Sequence, residues 1–471
     1  MANPRHAAGG EDARHSGGRR AANPVRTQGD ARSAHGTAAP RVGRRPVGVQ
    51  RGRNLARANV LRRLRSRWLG GVVSPGLAYR LVSFAVLVSL VTVIGCGGGA
   101  PSRPTGAAPA GPAAPAAGET IKLGVRTALS GPVSRQGQEV LNSVRLAVEE
   151  WNARGGVAGM RIEVAEADDA SNPNQASAVS ETLCADDEVV GVVGSFQSAV
   201  GIPSSEVLSK CRLAYVAPGE TNPRLTDRAL NNVNRVCPRD DDQGPALAIY
   251  AKEVMAATKL FVLDDQSTGG KGLADAFDQK AKELGIQTSR GTIKVGDTDF
   301  RAILRTIPQD IDGLVFYGFL PEGALIARQW RELGNQQPIM GGDPLFEPED
   351  FLKASGGAAE GGVVTFVGPN IRSVPEAAGY LKAFEGKYGS VASYGPQAYE
   401  AANVILTAIQ KVGKADRAAI RDAVRQTRDY KGILGVPISF DAKGDIAGGT
   451  IFVFRVKDGK FVQDRPIRTR S

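Results

Sequence analysis

From residue 120 onward, short apolar runs alternate with longer segments in which apolar residues recur at helical spacing. In Gln138–Ala153, for example, Val140, Val144, Ala147 and Trp151 fall on one helical face. The predicted strands of this part are Ile121–Ala128, Arg161–Glu166, Val189–Val193 and Leu213–Ala217, and further helices are predicted at Asn174–Cys184 and Ser198–Lys210. Such alternation indicates an α/β fold with a parallel sheet covered by helices on both faces.

The same rhythm then repeats in a second half of similar size. Its predicted strands are Leu260–Leu263, Ile286–Val295 and Gly313–Tyr317, and its helices are Leu273–Leu284, Phe300–Thr306 and Glu322–Leu333. The last hundred residues differ, with three helices at Glu376–Tyr388, Gln397–Val412 and Arg417–Thr427 and a hairpin of Ile451–Val456 with Phe461 and Val462. We therefore expect two α/β lobes and a chain that crosses back between them.

The segment before residue 120 has a different character. Residues 1–80 are rich in Arg, Gly, Ala and Pro and lack the apolar surface for a core, so a disordered leader is expected. The uncharged run Leu81–Ile94 is too short for a membrane span and matches a signal-peptide h-region behind a basic n-region. Val93-Ile94-Gly95-Cys96 resembles the bacterial lipobox, which implies lipid modification of Cys96 and a mature chain that begins with a tether rich in Ala, Pro and Gly, 97–118.

The net charge of +11 is distributed unevenly along the 471 residues. Residues 1–80 carry +14, while the remainder carries −3, so the basic character belongs to the leader and no nucleic-acid partner is expected. All three histidines, His6, His15 and His35, also lie in the leader. The rest of the chain therefore has no Ser-His-Asp triad and no histidine ligand for a metal.

Two enzyme motifs come close to a match and fail. The Gly-rich segment Asp265–Gly272 has Asp265 where a phosphate-binding loop needs its first Gly, and Gly272 where it needs Ser or Thr. The segment Gly194–Ser198 lacks the central Ser and the last Gly of a nucleophile elbow. The composition does not exclude a pair of catalytic carboxylates, because acidic residues are frequent at the predicted strand ends. No cofactor and no metal are expected.

The three cysteines of the body are Cys184, Cys211 and Cys237, and their spacing does not fit a zinc site. In an exported protein a disulfide is the more common arrangement. Cys184 and Cys211 each end a predicted helix, and consecutive crossovers place such helices side by side on one sheet face. We expect the pair Cys184–Cys211 with Cys237 free, modestly ahead of Cys211–Cys237.

Ligands of open α/β sheets bind beyond the carboxyl ends of the strands, and the segments there are distinctive. In chain order, the motifs are IKLGVRTALSGPVSRQG, WNARGGVAG, EADDASNPNQA, GVVGSFQSAV, YVAPGETNPRLT, RVCPRDDDQGP, DTDFRAIL, GFLPEG, GGDPLF and SYGPQAYEAANVI. Together they resemble the Leu/Ile/Val-binding type of substrate-binding protein, the extracytoplasmic receptors of ABC importers for amino acids. The resemblance covers about Ile121 to Phe454.

The resemblance implies a type I periplasmic-binding-protein fold, in which two lobes joined by three crossovers close on a ligand. We place the crossovers near Val236–Asp241, Gly362–Phe366 and Gly435–Ile438. Lobe 1 is then 119–237 plus 366–434, and lobe 2 is 238–365 plus 435–471.

The resemblance also implies the positions that hold the amino acid. Its carboxylate is expected at Ser198, Gly219 and Thr221, where a helix N-terminus and a loop offer N–H and hydroxyl donors. Its ammonium group is expected at Asp343, which comes from the second lobe, so the two ligand charges would bridge the lobes.

The side-chain end of the site departs from the pattern for branched-chain amino acids. Gln136 and Gly269 stand where the family often has aromatic residues, and Phe319 or Leu320 stands at a third such position. Tyr394 keeps the expected ring, and Glu220 adds an unusual acid beside the carboxylate site. We expect a larger and more polar cleft, which favours a polar or larger amino acid, or an analogue, over Leu, Ile or Val.

These observations predict a monomeric solute-binding lipoprotein that is anchored to the outer face of the cytoplasmic membrane. It would deliver an amino acid to a permease driven by an ATPase, and it would not be an enzyme. One alternative is a sensor of the same fold that reports ligand occupancy to a signalling partner. Another is a carboxylate-dependent hydrolase, which would have to turn its ligand over.

Overall fold

The computed structural model describes residues 118–348 and 350–469. The expected leader, the h-region, Cys96 and all but the last residue of the tether lie outside the described residues. Within the described ranges, no helix has the length and apolar composition needed to cross a membrane.

The first sheet contains five parallel strands in the order β2-β1-β3-β4-β5. The strands are β1 (Thr120–Thr127), β2 (Arg161–Asp168), β3 (Val189–Val193), β4 (Ala214–Ala217) and β5 (Val233–Arg235). The helices between them are α1 (Ser134–Ala153), α2 (Pro173–Ala185), α3 (Ser198–Lys210) and α4 (Arg224–Asp227). The central strand β3 reads VVGVV and is buried throughout, as expected for a parallel sheet covered on both faces.

The second sheet has seven strands in the order β12-β11-β10-β9-β8-β6-β7. They are β6 (Lys259–Asp264), β7 (Gln287–Thr292), β8 (Gly313–Tyr317), β9 (Ile339–Gly341), β10 (Val363–Phe366), β11 (Thr450–Lys457) and β12 (Lys460–Arg468). Its helices are α5 (Asp240–Glu253), α6 (Thr268–Glu283), α7 (Arg301–Leu304), α8 (Leu320–Glu332) and α9 (Asp350–Ser355). The expected hairpin of β11 and β12 adds two antiparallel strands beside β10.

Three helices that follow β10 return to the first sheet. They are α10 (Ala378–Tyr388), α11 (Gly395–Val412) and α12 (Arg417–Arg425). The indole N–H of Trp151 in α1 donates to Oδ1 of Asn403 in α11 at 2.8 Å, and Nε of Arg417 donates to the carbonyl of Val189 at 2.8 Å. The first lobe is therefore built from two separate stretches of the chain.

The third crossing lies further along the chain than the expected Gly435–Ile438. The carbonyl of Gly444 accepts a hydrogen bond from the backbone N–H of Arg235 at 2.9 Å, so the chain still runs beside β5 at that point. Gly444 has φ +94°, and a Cβ there would lie 2.1 Å from the carbonyl oxygen of Val233. Only glycine allows this close approach, and the crossing to β11 follows it.

Cys184 and Cys211 form a disulfide, with their Cα atoms 5.7 Å apart. They lie at the ends of α2 and α3, which pack side by side on one face of the first sheet. Cys237 is a free, buried cysteine, and burial raises the pKa of its thiol well above the usual range.

Candidate ligand-binding site

A cavity of about 290 Å³ lies between the carboxyl ends of the strands of the two sheets. Ser198 lines it from the start of α3, which follows β3, and Thr221 lines it from the loop that follows β4. Gly269, Phe319 and Asp343 line it from the segments that follow β6, β8 and β9. Both sheets thus direct their strand ends to one cavity, in the place where open α/β sheets bind ligands.

The first sheet contributes the N-terminus of α3. Ser198 is the first residue of this helix and is 4% exposed, and its Oγ accepts a hydrogen bond from the backbone N–H of Asn222 at 3.1 Å. No side chain caps the helix. Unpaired backbone N–H groups and the helix dipole favour an anion at this end. Thr221 precedes Asn222 in the same loop, is also buried and lines the cavity.

The second sheet contributes Asp343, which follows β9 and is 2% exposed. Its Oδ2 accepts a hydrogen bond from the Tyr394 hydroxyl at 2.6 Å, and its backbone N–H donates to Oε1 of Gln243 at 3.1 Å. Its Oδ1 is buried and has no hydrogen-bond partner among the described residues. Burial raises the pKa of Asp343 to about 6, although the Tyr394 hydrogen bond opposes the rise. An ammonium group at Oδ1 would both satisfy this oxygen and neutralise its charge.

Tyr394 and Gly219 lie outside the lining and contact residues that form it. The Tyr394 ring stacks on Phe196, with centroids 5.1 Å apart and an interplanar angle of 4°. A Cβ on Gly219 would lie 2.6 Å from the Tyr394 ring, so glycine is needed for the loop to approach it. Phe196 lines the cavity, whereas Tyr394 and Gly219 do not. Sequence reasoning did not assign Phe196 to the site, although its position directly after β3 in GSFQS is a signal.

Glu220 points away from the cavity into a buried ionic cluster. Its carboxylate accepts hydrogen bonds from a guanidinium N–H of Arg126, from the Tyr215 hydroxyl at 2.7 Å and from the backbone N–H of Ser195 at 3.2 Å. Arg126 also donates to Asp169, and Arg126, Asp169 and Glu220 are fully buried. The expected ligand contact of Glu220 is therefore replaced by a role in fixing the loop between Gly219 and Thr221.

The side-chain end of the cavity is more apolar than the sequence suggested. Gln136 is outside the lining, and its Nε2 donates to Oε1 of Glu347 at 3.3 Å. Phe319 and Gly269 line the cavity as expected. The lining of the cavity also includes the apolar residues Pro132, Val133, Leu273, Val295, Pro321 and Pro344. The polar groups at this end are few, and the one carboxylate besides Asp343 is Glu322.

The part of the chain described by the structure contains no group of three or more His, Cys, Asp or Glu residues that could hold a metal ion. The cavity is lined by hydroxyl groups, carboxylates, one amide side chain and apolar surface.

Comparisons with known proteins agree with this geometry. The family model for periplasmic binding proteins matches residues 120–460. A Leu/Ile/Val-binding protein homologue from Brucella abortus is 34% identical over 346 residues, which cover 72% of this chain and 92% of the relative.

Two solved structures are similar over nearly their whole length. The leucine-binding protein LivK from Thermotoga maritima has a TM-score of 0.69 at 29% identity and covers 74% of this chain and 99% of its own. LivJ from Streptococcus pneumoniae, a branched-chain amino acid transporter substrate-binding protein in complex with isoleucine, has a TM-score of 0.69 at 27% identity, with coverages of 74% and 100%. The fold is thus that of a type I periplasmic binding protein, and the chain belongs to the periplasmic binding protein family.

Proposed function

We propose that this protein is the receptor of an ABC importer, which binds an α-amino acid in the cavity and delivers it to a permease driven by an ATPase. The observation that carries the proposal is that one cavity contains both a site that favours an anion and a site that favours a cation. The N-terminus of α3 with Ser198 and Thr221 favours an anion, and the unpaired Oδ1 of Asp343 favours a cation. An α-amino acid carries these two charges on one carbon atom. The names of the relatives, which bind Leu, Ile or Val, support the same class of ligand.

The ligand would join the two lobes, because its two charges are held by different sheets. Ser198 and Thr221 follow strands of the first sheet, and Asp343 follows β9 of the second. The rims already touch where Nδ2 of Asn222 donates to the carbonyl of Thr268 at 3.1 Å. Binding therefore favours the closed arrangement of the lobes, which is a form that a permease could recognise.

The remaining expected site residues receive supporting roles in this proposal. Tyr394 orients Asp343, Gly219 admits the Tyr394 ring, and Glu220 anchors the loop that carries Thr221. Gln136 tethers Glu347 at the edge of the cleft, and Phe319 forms a wall of the cavity. We assign the lobes as 119–237 plus 366–444 and 238–365 plus 445–471, which moves the third boundary to the crossing after Gly444.

Export and lipid anchoring form a separate part of the proposal, which rests on the sequence of 81–96. Cys96 would carry the lipid and hold a monomeric receptor on the outer face of the cytoplasmic membrane. Labelling of cells with radioactive palmitate should mark the wild-type protein and C237S but not C96S. Label on C96S, or a wild-type protein that stays unlabelled and cytoplasmic, would contradict the anchor.

Asp343→Asn tests the ligand site, because the amide keeps the size of the side chain and loses its charge. Titration calorimetry with a panel of amino acids should find a ligand for the wild-type protein and at least a 100-fold loss of affinity in D343N. The ligand should be recovered chemically unchanged, which would exclude the hydrolase. D310N is the matched control, since Asp310 is exposed and pairs with Lys259 outside the cavity. Equal affinities of wild-type and D343N protein would refute the ammonium site.

A further inference from the structure

Resting on the proposed function, we propose that the ligand is an α-amino acid whose side chain ends in a second cation, such as an amine or a guanidinium group. Glu322 would be the partner of that cation. The proposal names a substrate class different from the branched-chain amino acids of the relatives.

Glu322 lies in the first turn of α8, is 3% exposed and lines the cavity. Its Oε1 accepts a hydrogen bond from the backbone N–H of Gly296 at 2.7 Å, which fixes the side chain. Its Oε2 is buried and has no hydrogen-bond partner among the residues that the structure describes. A buried carboxylate oxygen without a donor is costly, so a donor from the ligand would contribute directly to affinity.

The charges of the lining residues favour a cationic group of the ligand over a neutral hydrogen-bond donor as the partner of Glu322. The lining residues include two carboxylates, those of Asp343 and Glu322, and neither Lys nor Arg. The ammonium group of a zwitterionic amino acid pairs with Asp343, and its carboxylate is held at Ser198, so the charge of Glu322 stays unpaired. The side chains of Leu, Ile and Val carry no donor, and a hydroxyl or amide supplies a donor without a charge. A second cation on the ligand would pair with the Glu322 carboxylate and balance its charge.

The wall of the cavity suits the rest of such a side chain. Leu273, Val295, Phe319 and Pro321 line the cavity together with Glu322. Long cationic side chains place their methylene groups against apolar surface and pair only the charged end. The same surface that would contact a leucine side chain therefore also fits the stem of a diamino or guanidino acid.

The test compares cationic ligands with neutral analogues on the purified wild-type protein by titration calorimetry at pH 7.5. Arginine is compared with citrulline, which is isosteric and uncharged, and lysine with norleucine, which lacks the terminal ammonium group. At least one cationic ligand should bind 30-fold more tightly than its neutral partner and 10-fold more tightly than leucine. If citrulline and norleucine bind as well as arginine and lysine, or leucine binds most tightly, the proposal is wrong and an amino-acid receptor remains.

Glu322→Gln tests the residue itself, since its amide oxygen can still accept from Gly296 while the charge is lost. E322Q should weaken the cationic ligand at least 30-fold and change the affinity for leucine less than threefold. E332Q is the matched control at the far end of α8, where Glu332 is exposed and pairs with Arg301. Unchanged affinity for the cationic ligand in E322Q overturns the assignment. If E322Q folds poorly, the comparison of ligands on the wild-type protein decides alone. A wild-type protein that binds no amino acid overturns both this inference and the proposed function.

Discussion

The hydroxyl oxygen of Tyr394 lies 2.6 Å from Oδ2 of Asp343, although the two residues come from elements that pack on different sheets. Tyr394 directly precedes α11 on the first sheet, and Asp343 follows β9 of the second. This hydrogen bond holds one carboxylate oxygen, whereas the other, Oδ1, is buried and has no hydrogen-bond partner among the described residues. The geometry of the proposed ammonium site therefore depends on the contact between the lobes.

Tyr394→Phe should weaken amino-acid binding at least about tenfold at pH 7.5, because hydrogen bonds to charged groups contribute about 1.5–3 kcal/mol. The substitution keeps the ring that stacks on Phe196 and removes only the donor. Titration calorimetry measures the change. Y380F is the control, since the Tyr380 hydroxyl bonds to Ser143 between α1 and α10, outside the cavity lining. Equal losses in the two variants would show that the effect is general and not specific to Asp343.

Binding by the wild-type protein should weaken as the pH falls through about 6. Burial raises the pKa of Asp343 to about 6 in the free protein, and only the ionised carboxylate attracts the ammonium group. Below that pKa each pH unit should cost about a factor of ten in affinity. In Y394F the hydrogen bond that lowers the pKa of Asp343 is absent, so the midpoint should move to higher pH. Affinities that stay constant between pH 5 and 7.5 would contradict the role of Asp343.

The sequence predicted the long, strongly periodic elements and missed the shortest strands. The apolar spacing in α1 and the buried run in β3 are strong local signals, and both elements form as expected. The strands β5 and β9 have three residues each, too few to show a period, and tertiary pairing with their neighbours creates them.

In the candidate site, too, the sequence predicted some features and could not predict others. The resemblance implies ligand contacts at Ser198, Thr221 and Asp343, and these three residues line one cavity. The orientation of Glu220 could not be predicted from its position, because its partner Arg126 is 94 residues away in the chain. Glu322 was overlooked as a candidate because an acid in the first turn of a helix is ordinary. Only its burial and its unpaired oxygen distinguish it.

Arg126→Met should destabilise the protein by about 3–5 kcal/mol, because it leaves the buried carboxylates of Asp169 and Glu220 without their cation. Urea unfolding followed by circular dichroism measures the loss. R145M is the matched control, since Arg145 pairs with Glu166 at the surface and such pairs contribute about 0–1 kcal/mol. A free energy of unfolding that falls equally in both variants would show that the buried cluster contributes little.

Glu139→Gln should stabilise the protein at pH 8 and have a much smaller effect at pH 5. Oε1 of Glu139 accepts from the backbone N–H groups of Ala392 at 2.9 Å and Gly395 at 3.2 Å, and the side chain is buried. Burial, and then the negative charge of Glu347, raise the pKa of Glu139 well above its usual range. The amide mimics the protonated acid and retains an acceptor for the two N–H groups.

The sign of this effect follows from proton binding. Between the usual pKa of a glutamate and the raised value, the folded protein binds more protons at this site than the unfolded chain does. The free energy of unfolding of the wild-type protein therefore decreases as the pH rises through that window. E139Q lacks this group, so its melting temperature should exceed that of the wild type by at least about 2 °C at pH 8, and the difference should shrink steadily as the pH falls toward the usual pKa of a glutamate. E149Q, which alters an exposed acid paired with Lys387, should show no such trend. The same difference between E139Q and the wild type at both pH values would contradict this prediction. It would mean that the buried Glu139 side chain is already ionised in the folded protein across this pH range.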